Sequence, residues 1–459
     1  MRTKNRVVVL ILNIIFIFEL LLAAIFADYL DQNIIFLIFS TLSIIQTLNF
    51  FYKKSNFFEI GVWFIYLSYL FLFGNLFIVQ FDLKTNLIWN PFIYFSRQAL
   101  YFTYLFSIAS LYFFQVGYIL VGKKLRSSNN QDICGNNMLD TRMKRYGLVI
   151  LICILPFRLV SDYNIINVIS SSNSYSSYST AVSSGISDDL GQLLLPSLFL
   201  LLFSKKINNN IKFFLFSSVL CYLIFFMGAT GSRKVSIFSI VVLILGFLYS
   251  MDIKKIKITQ ILSLSLVGIL LINFMVIIRD NRFQINTVFQ KLLDSSFSIE
   301  TYKGLLAEVL AELGVTVLSI TSTIEVVPNI LPFQFGLSFI RAMISFLPIG
   351  WLLKDFLSLG STTYVINRLT GVPVGSSLIS EVYWNFGIFG GIISMFIIGM
   401  IFGYFVKYYL ETPDSLKSAL YFSIFSQIIL LVRSGTIDVF RTTIFIIIIF
   451  FTIRRIKIE

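Results

Sequence analysis

The chain has 459 residues, 57% of them hydrophobic and only 13% charged, with a formal net charge of +13 and no histidine. That balance cannot cover a water-soluble surface, so a soluble globular protein is excluded and a polytopic membrane protein remains. A chain without imidazole also cannot use one as general base or metal ligand, which leaves any chemistry to Arg, Lys, carboxylates, Tyr, Ser and backbone groups.

A helix needs about twenty apolar residues to cross the hydrocarbon layer. In chain order the sequence predicts spans over 7–27, 33–52, 57–80, 98–121, 146–165, 191–204, 211–228, 236–251, 259–278, 381–405, 417–433 and 437–453. The expected fold class is therefore all-α: a polytopic integral membrane protein of about 12 transmembrane helices forming a single transmembrane domain over 1–459. The first run follows Arg2, Lys4 and Arg6, but it is longer than a signal-peptide core and lacks a small-residue cleavage site, so it reads as a retained span. The run ending at Ser204 is short, and its start is expected to reach back towards Asp188–Gly191. Cys134, Cys153 and Cys221 form no CxxC pair or even-numbered framework, so neither a disulfide nor a metal site is implied.

The breaks between spans carry the orientation. Basic residues fall on every second connection: Arg2/Lys4/Arg6, Lys53/Lys54, Lys123 to Arg145, Lys205/Lys206/Lys212, Lys254/Lys255/Lys257, Lys407/Lys417 and Arg454/Arg455/Lys457. Those connections hold 22 of the 36 Lys and Arg, the positive-inside pattern, and place both termini in the cytoplasm of a plasma membrane. The excess charge is then a topology and anionic-lipid signal, and no nucleic-acid partner is expected.

On the opposite side most connections are short, as at Asp28–Gln32, Phe81–Arg97, Thr230–Val235 and Ser434–Asp438. Two are long extracytoplasmic loops, about 158–192 and 279–380. The first holds SSSNSYSSYS at Ser170–Ser179, which suits either sugar contacts through its tyrosines or a solvated linker. The second holds two apolar passages, GVTVLSITSTIEVVPNILPF and GLSFIRAMISFLPIGWLL, each broken by Pro, Glu or Arg. They lie at the membrane surface, re-enter the membrane, or add a pair of spans that raises the count to 14; a pair preserves the orientation of everything after Glu381.

Cations are disfavoured on the translocated side, yet Arg158, Arg233, Lys234, Arg279, Arg282, Arg341, Arg368, Arg433 and Arg441 are placed there or within a turn of it. Singly, each reads as well as a helix-end anchor that snorkels to headgroups. As a set they suggest an anionic ligand, and guanidinium suits phosphate through its bidentate fork. A cation about 4 Å from a phosphate charge gains on the order of 4 kcal/mol at an effective dielectric near 20, so two or three would hold a lipid diphosphate or stabilise it as a leaving group. No DxD-type pair stands out for a divalent cation; Asp188-Asp189 comes nearest and suits a solvated helix start equally. No metal or other cofactor is expected.

Two stretches resemble a known family. GATGSRK at 228–234 is similar to the Gly-Ser-Arg signature of Wzy-type polymerases of O-antigen and capsular repeat units, and SSLISEVYWNFGIFGGIISMFIIGMIFGYF at 376–405 to their Glu-x-Tyr-x-Asn-Phe-Gly-x-x-Gly segment. The resemblance implies a glycosyltransferase in the plasma membrane that joins undecaprenyl-diphosphate-linked oligosaccharides on the outer leaflet, with lipid-linked donor and acceptor as substrates. Membrane lipids, a flippase and a chain-length regulator would be its partners. It carries Arg233 and Glu381 over by motif as catalytic positions; Arg158, Lys234, Arg279, Arg282, Arg341, Arg433 and Arg441 are substrate-binding candidates from topology. Glu381, at the start of a span, is the candidate base, or else a helix-start charge favoured by the dipole. Tyr383 and Asn385 suit sugar stacking and hydroxyl contacts. Two alternatives stay open. A flippase or transporter of lipid-linked oligosaccharide would show short loops and repeated halves. An O-antigen ligase is disfavoured because related ligases are associated with a functional histidine.

Overall fold

The computed structural model describes residues 2–85, 94–121, 137–172, 190–230, 234–252, 299–347, 353–370, 375–410 and 414–455. Among these there are helices and no strand. In chain order they are α1 (Arg2–Ile25), α2 (Gln32–Lys53), α3 (Ile60–Gln80), α4 (Arg97–Val121), α5 (Asn137–Ser172), α6 (Leu194–Phe203), α7 (Asn209–Thr230), α8 (Lys234–Ser250), α9 (Ile299–Gly314), α10 (Val317–Val326), α11 (Leu337–Ile344), α12 (Lys354–Ser358), α13 (Thr362–Thr370), α14 (Leu378–Leu410), α15 (Ser415–Ile428) and α16 (Thr436–Arg455). Nine helical stretches among the described residues are long and apolar enough to cross a membrane, and three further apolar helices are shorter. Most follow the predicted spans within a few residues, as expected where an unbroken apolar run leaves helix as the only way to satisfy the backbone in lipid.

Three departures are informative. The connection read as opening near Arg158 is helical to Ser172, with α5 continuing through Pro156. Leu190 and Gly191 are helical, but a turn at Gln192 and Leu193 separates them from α6, which starts at Leu194. The passage 306–326 is itself long and apolar enough to span. The span predicted at 259–278 lies outside the described residues.

The chain divides into two compact units, each assembled from separated segments. Unit 1 comprises 1–127, 307–411 and 431–438; unit 2 comprises 128–306, 412–430 and 439–459. In unit 1, α4 and α14 pack so closely that a Cβ on Gly399 would stand 2.0 Å from the carbonyl oxygen of Phe114, and one on Gly117 2.0 Å from that of Phe396. Gly399 and Gly403 are four apart, so they sit on one helix face, the small-residue pattern that lets membrane helices approach at backbone distance. α3 meets α9 in the same way, with Gly314 against the backbone of Asn75.

A set of polar residues inside unit 1 is hydrogen-bonded across helices. Asn49 donates to Gln115 Oε1 (3.1 Å), Gln115 donates to the Gln46 carbonyl (2.8 Å), and Gln46 donates to the Leu111 carbonyl (2.8 Å). The Tyr112 hydroxyl donates to Asn13 Oδ1 (3.0 Å), and the Tyr69 hydroxyl to Gln46. This ladder ties α1, α2, α3 and α4 where no water can satisfy an amide. In α10, Ser319, Thr321 and Thr323, with Thr316 just before it, turn their hydroxyls back onto carbonyls three or four residues earlier, so a Ser/Thr-rich helix can be buried.

α11 is amphipathic with its faces reversed. Its buried residues are Ser338, Arg341 and Ala342, whereas Leu337, Ile340 and Met343 are exposed. A helix in water does the opposite. Its polar face points into unit 1, at the end where α14 begins.

Candidate functional site

α14 is broken at Gly387, whose backbone (φ 65°, ψ −154°) is open essentially to glycine alone. A continuous helix would use the carbonyls of Trp384 and Asn385 to accept from residues 388 and 389. The break frees them, and the segment before α11 donates to them instead: Gln334 N to the Trp384 carbonyl and Phe335 N to that of Asn385, each at 3.0 Å. The Asn385 side chain continues the link, accepting from Gly336 N (2.9 Å) and donating to Ser338 Oγ (2.7 Å) and to the Glu381 carbonyl (2.8 Å). One kink thus docks residues 334–338 onto the first two turns of α14.

Glu381 lies at the centre, in the first turn of α14 and only 1% exposed. Its carboxylate accepts three hydrogen bonds. Ser338 Oγ (2.7 Å) and Thr436 Oγ1 (2.6 Å) donate to Oε1, and Thr436 N (2.7 Å) donates to Oε2. A buried carboxylate is tolerated only with such compensation, and here the donors come from two stretches of unit 1 far apart in sequence. The Thr436 amide opens α16, so the carboxylate also meets the positive end of that helix. Gly435 lies beside the carboxylate: a Cβ there would lie 3.4 Å from both Glu381 Oε2 and Ser376 Oγ, in ordinary van der Waals contact. Ser376 in turn shares a hydrogen bond with Thr362.

Arg341 is one helical turn beyond Ser338 and on the same face. Its Nη1 donates to Gln334 Oε1 (2.6 Å) and to the Leu359 carbonyl (3.2 Å), and the guanidinium lies 5.0 Å above the Phe356 ring. Burial lowers its pKa from the ordinary guanidinium value, and Nε has no hydrogen-bond partner among the described residues. Arg433 belongs to the hairpin that supplies Thr436 and lies 5.8 Å over the Phe71 ring. Tyr383 is buried, its hydroxyl 3.4 Å from the Val327 carbonyl and its ring edge-on to Phe106. Of the residues expected to form a site, then, Glu381, Tyr383, Asn385, Arg341 and Arg433 all lie in unit 1. The first four share one network of contacts with the 327–338 segment.

Unit 2 holds the others that are described. Arg158 pairs with Asp162 at 2.7 Å, and Arg441 lies 5.9 Å over the Phe445 ring. Lys234 opens α8, of which only the backbone is described at that position. Arg233, Arg279 and Arg282 lie outside the described residues.

Ser338, Gln334 and Thr436 were not singled out from the sequence. The spacing of Ser338 and Arg341 on one helix face was a readable signal, whereas nothing local marks Thr436 as the partner of a glutamate 55 residues earlier.

The whole chain was compared with known proteins. No curated protein matches it, and no solved structure does. A family model described as O-antigen polysaccharide polymerase Wzy matches residues 9–457. With the multi-pass helical architecture and a Glu-x-Tyr-x-Asn-Phe-Gly segment at the centre of its most elaborate polar network, the chain belongs to the O-antigen polysaccharide polymerase Wzy family.

Proposed function

We propose that the protein joins undecaprenyl-diphosphate-linked oligosaccharide repeat units on the outer leaflet of the plasma membrane, with both termini cytoplasmic and without a metal. The observation that carries this reading is the knot around Glu381, where the family-like segment, the arginine-bearing cap and the α16 hairpin meet in one unit. On this reading two or more of Arg233, Arg279, Arg282 and Arg433 hold the donor diphosphate, with Lys234, Arg341 and Arg441 adding positive potential along the substrate path.

The hydroxyl of the acceptor sugar attacks the anomeric carbon of the donor. The bond from that carbon to the diphosphate oxygen breaks, its electron pair leaves with the diphosphate, and the hydroxyl proton passes to Glu381. Stronger pairing of the arginines with the departing diphosphate than with the bound donor accelerates the step. In the state described, the Ser338 and Thr436 hydroxyls occupy Glu381 Oε1. Oε2 accepts only the Thr436 amide, so the acceptor proton passes to the open side of Oε2 or to Oε1 after one hydroxyl yields, and sugar contacts by Tyr383 and Asn385 require segment 327–338 to lift from them.

The test is polymer length in cells carrying Arg233→Ala or Glu381→Gln. Loss of the polymer ladder with normal amounts of folded protein is expected, and full-length polymer removes the substituted residue from the mechanism. A strain lacking the protein separates the main alternative: single repeat units on finished lipid carrier fit a polymerase, and units trapped on the inner leaflet fit a flippase. Partnership with a flippase and a chain-length regulator belongs to the same proposal and is tested by co-purification.

A further inference from the structure

Unit 2 contains an ion pair inside its membrane-spanning region that the mechanism above does not use. Arg158 and Asp162 lie one turn apart on α5, and Tyr222 faces them from α7. Within the candidate spans, Asp162 lies six residues from Val168 and Tyr222 eight from Thr230, about 9 and 12 Å along each helix at 1.5 Å per residue. Charges at that depth are costly to keep and commonly mark a functional pathway.

The guanidinium is held on several sides. Nε donates to Asp162 Oδ2 (2.7 Å) and faces the Tyr222 hydroxyl at 3.4 Å, while that hydroxyl donates to the same carboxylate. The Phe226 ring lies 5.3 Å below the guanidinium carbon. The side-chain stem passes Gly191, where a Cβ would stand 3.2 Å from Arg158 Cδ. All hydrogen bonds of Arg158 among the described residues leave from Nε. The edge formed by Nη1 and Nη2, the half of the fork that matches two oxygens of a phosphate, holds none. A pair built only to tie two helices would be expected to use that edge.

We infer that Asp162 and Tyr222 are positioning residues that fix Arg158 so that its Nη1–Nη2 edge binds a lipid-borne phosphate. This deepens, and rests on, the reading of the protein as an enzyme acting on lipid diphosphates. The shared ligand chemistry is a lipid-borne phosphate, whether the substrate's diphosphate or a phospholipid headgroup.

The experiment titrates undecaprenyl diphosphate and, separately, phosphatidylglycerol against the detergent-solubilised full chain and reads bound lipid by native mass spectrometry. Arg158→Lys keeps the charge and an ion pair but not the two-nitrogen edge, and is expected to weaken diphosphate binding about tenfold. Asp162→Asn and Tyr222→Phe are expected to weaken it about threefold each, and Asp162→Asn to add nothing in an Arg158→Ala background, because it acts through Arg158. Thermal unfolding reports whether each variant is folded; Tyr222→Phe keeps both charges and serves where Asp162→Asn does not fold. Wild-type affinity for both lipids in Arg158→Lys, or an undiminished effect of Asp162→Asn without Arg158, overturns the proposal. Loss confined to phosphatidylglycerol keeps the phosphate edge and assigns it to a headgroup. A chain that polymerises repeat units while its Arg158 variants bind diphosphate normally loses this site but keeps its function. A chain that binds diphosphate through Arg158 but never polymerises loses the function and keeps the site.

Discussion

At the scale of single residues, Glu381 carries the sharpest expectation because its three donors are unequal. The Thr436 amide is backbone and survives any side-chain change, whereas the Thr436 hydroxyl does not. Thr436→Val removes one hydrogen bond to a buried carboxylate and should destabilise the protein by about 2 kcal/mol, with Thr436→Ser restoring most of it. Thermal unfolding in detergent reads both. The same measurement on Glu381→Gln separates the roles proposed for the carboxylate: a folded variant without polymer supports chemistry, and an unfolded one supports a structural knot. In the sequence, Glu381 was visible as a polar residue at the start of an apolar run. Its burial was not, because the residues that cover it are 43 and 55 positions away and no local pattern encodes such pairings.

Among the elements, helices were largely legible because period and length alone decide them in an apolar run. Their mutual approach was only half legible. Gly399 and Gly403 suggest a contact face, but the partner α4 is known only from the fold. Gly399→Ala would push a methyl into the Phe114 carbonyl and should cost at least about 1–3 kcal/mol, since backbone cannot yield. Gly304, within α9, meets nothing within 4 Å, so Gly304→Ala should stabilise by up to about 1 kcal/mol. Gly387→Ala tests the kink. It should cost about 1–3 kcal/mol in backbone strain and, by re-forming the helix, withdraw the carbonyls that hold Gln334 and Phe335. Limited proteolysis should then cut near 334–338 sooner than in the parent protein. The faces of α11 were half legible in the same way: Ser338 and Arg341 stand three apart on one face, but that spacing does not tell that this face is buried while Leu337, Ile340 and Met343 are exposed.

For the whole molecule, parity of the spans decides which residues share a side. Asp28, Gln98 and Asn329 line one open cavity of about 430 Å³ in unit 1, so they belong to the same end of that unit. With the native cysteines replaced, single cysteines at these three positions should all react with a membrane-impermeant thiol reagent applied from outside, and one at Asn56 should not. Labelling of Asn329 from the opposite side to Asp28 would break the arrangement. The two units interleave in sequence, the chain passing between them five times, and this bears on how the protein is made. Glu381 leaves the ribosome 55 residues before Thr436, roughly 3–11 s at ordinary elongation rates. Throughout that interval the carboxylate lacks two of its three donors, and ionised it resists burial. The Glu381 end of unit 1 therefore closes only when the last hairpin arrives. Translation itself acts as the clock, and a nascent chain stalled short of residue 436 would present an open, wet carboxylate by which it can be told from a finished one.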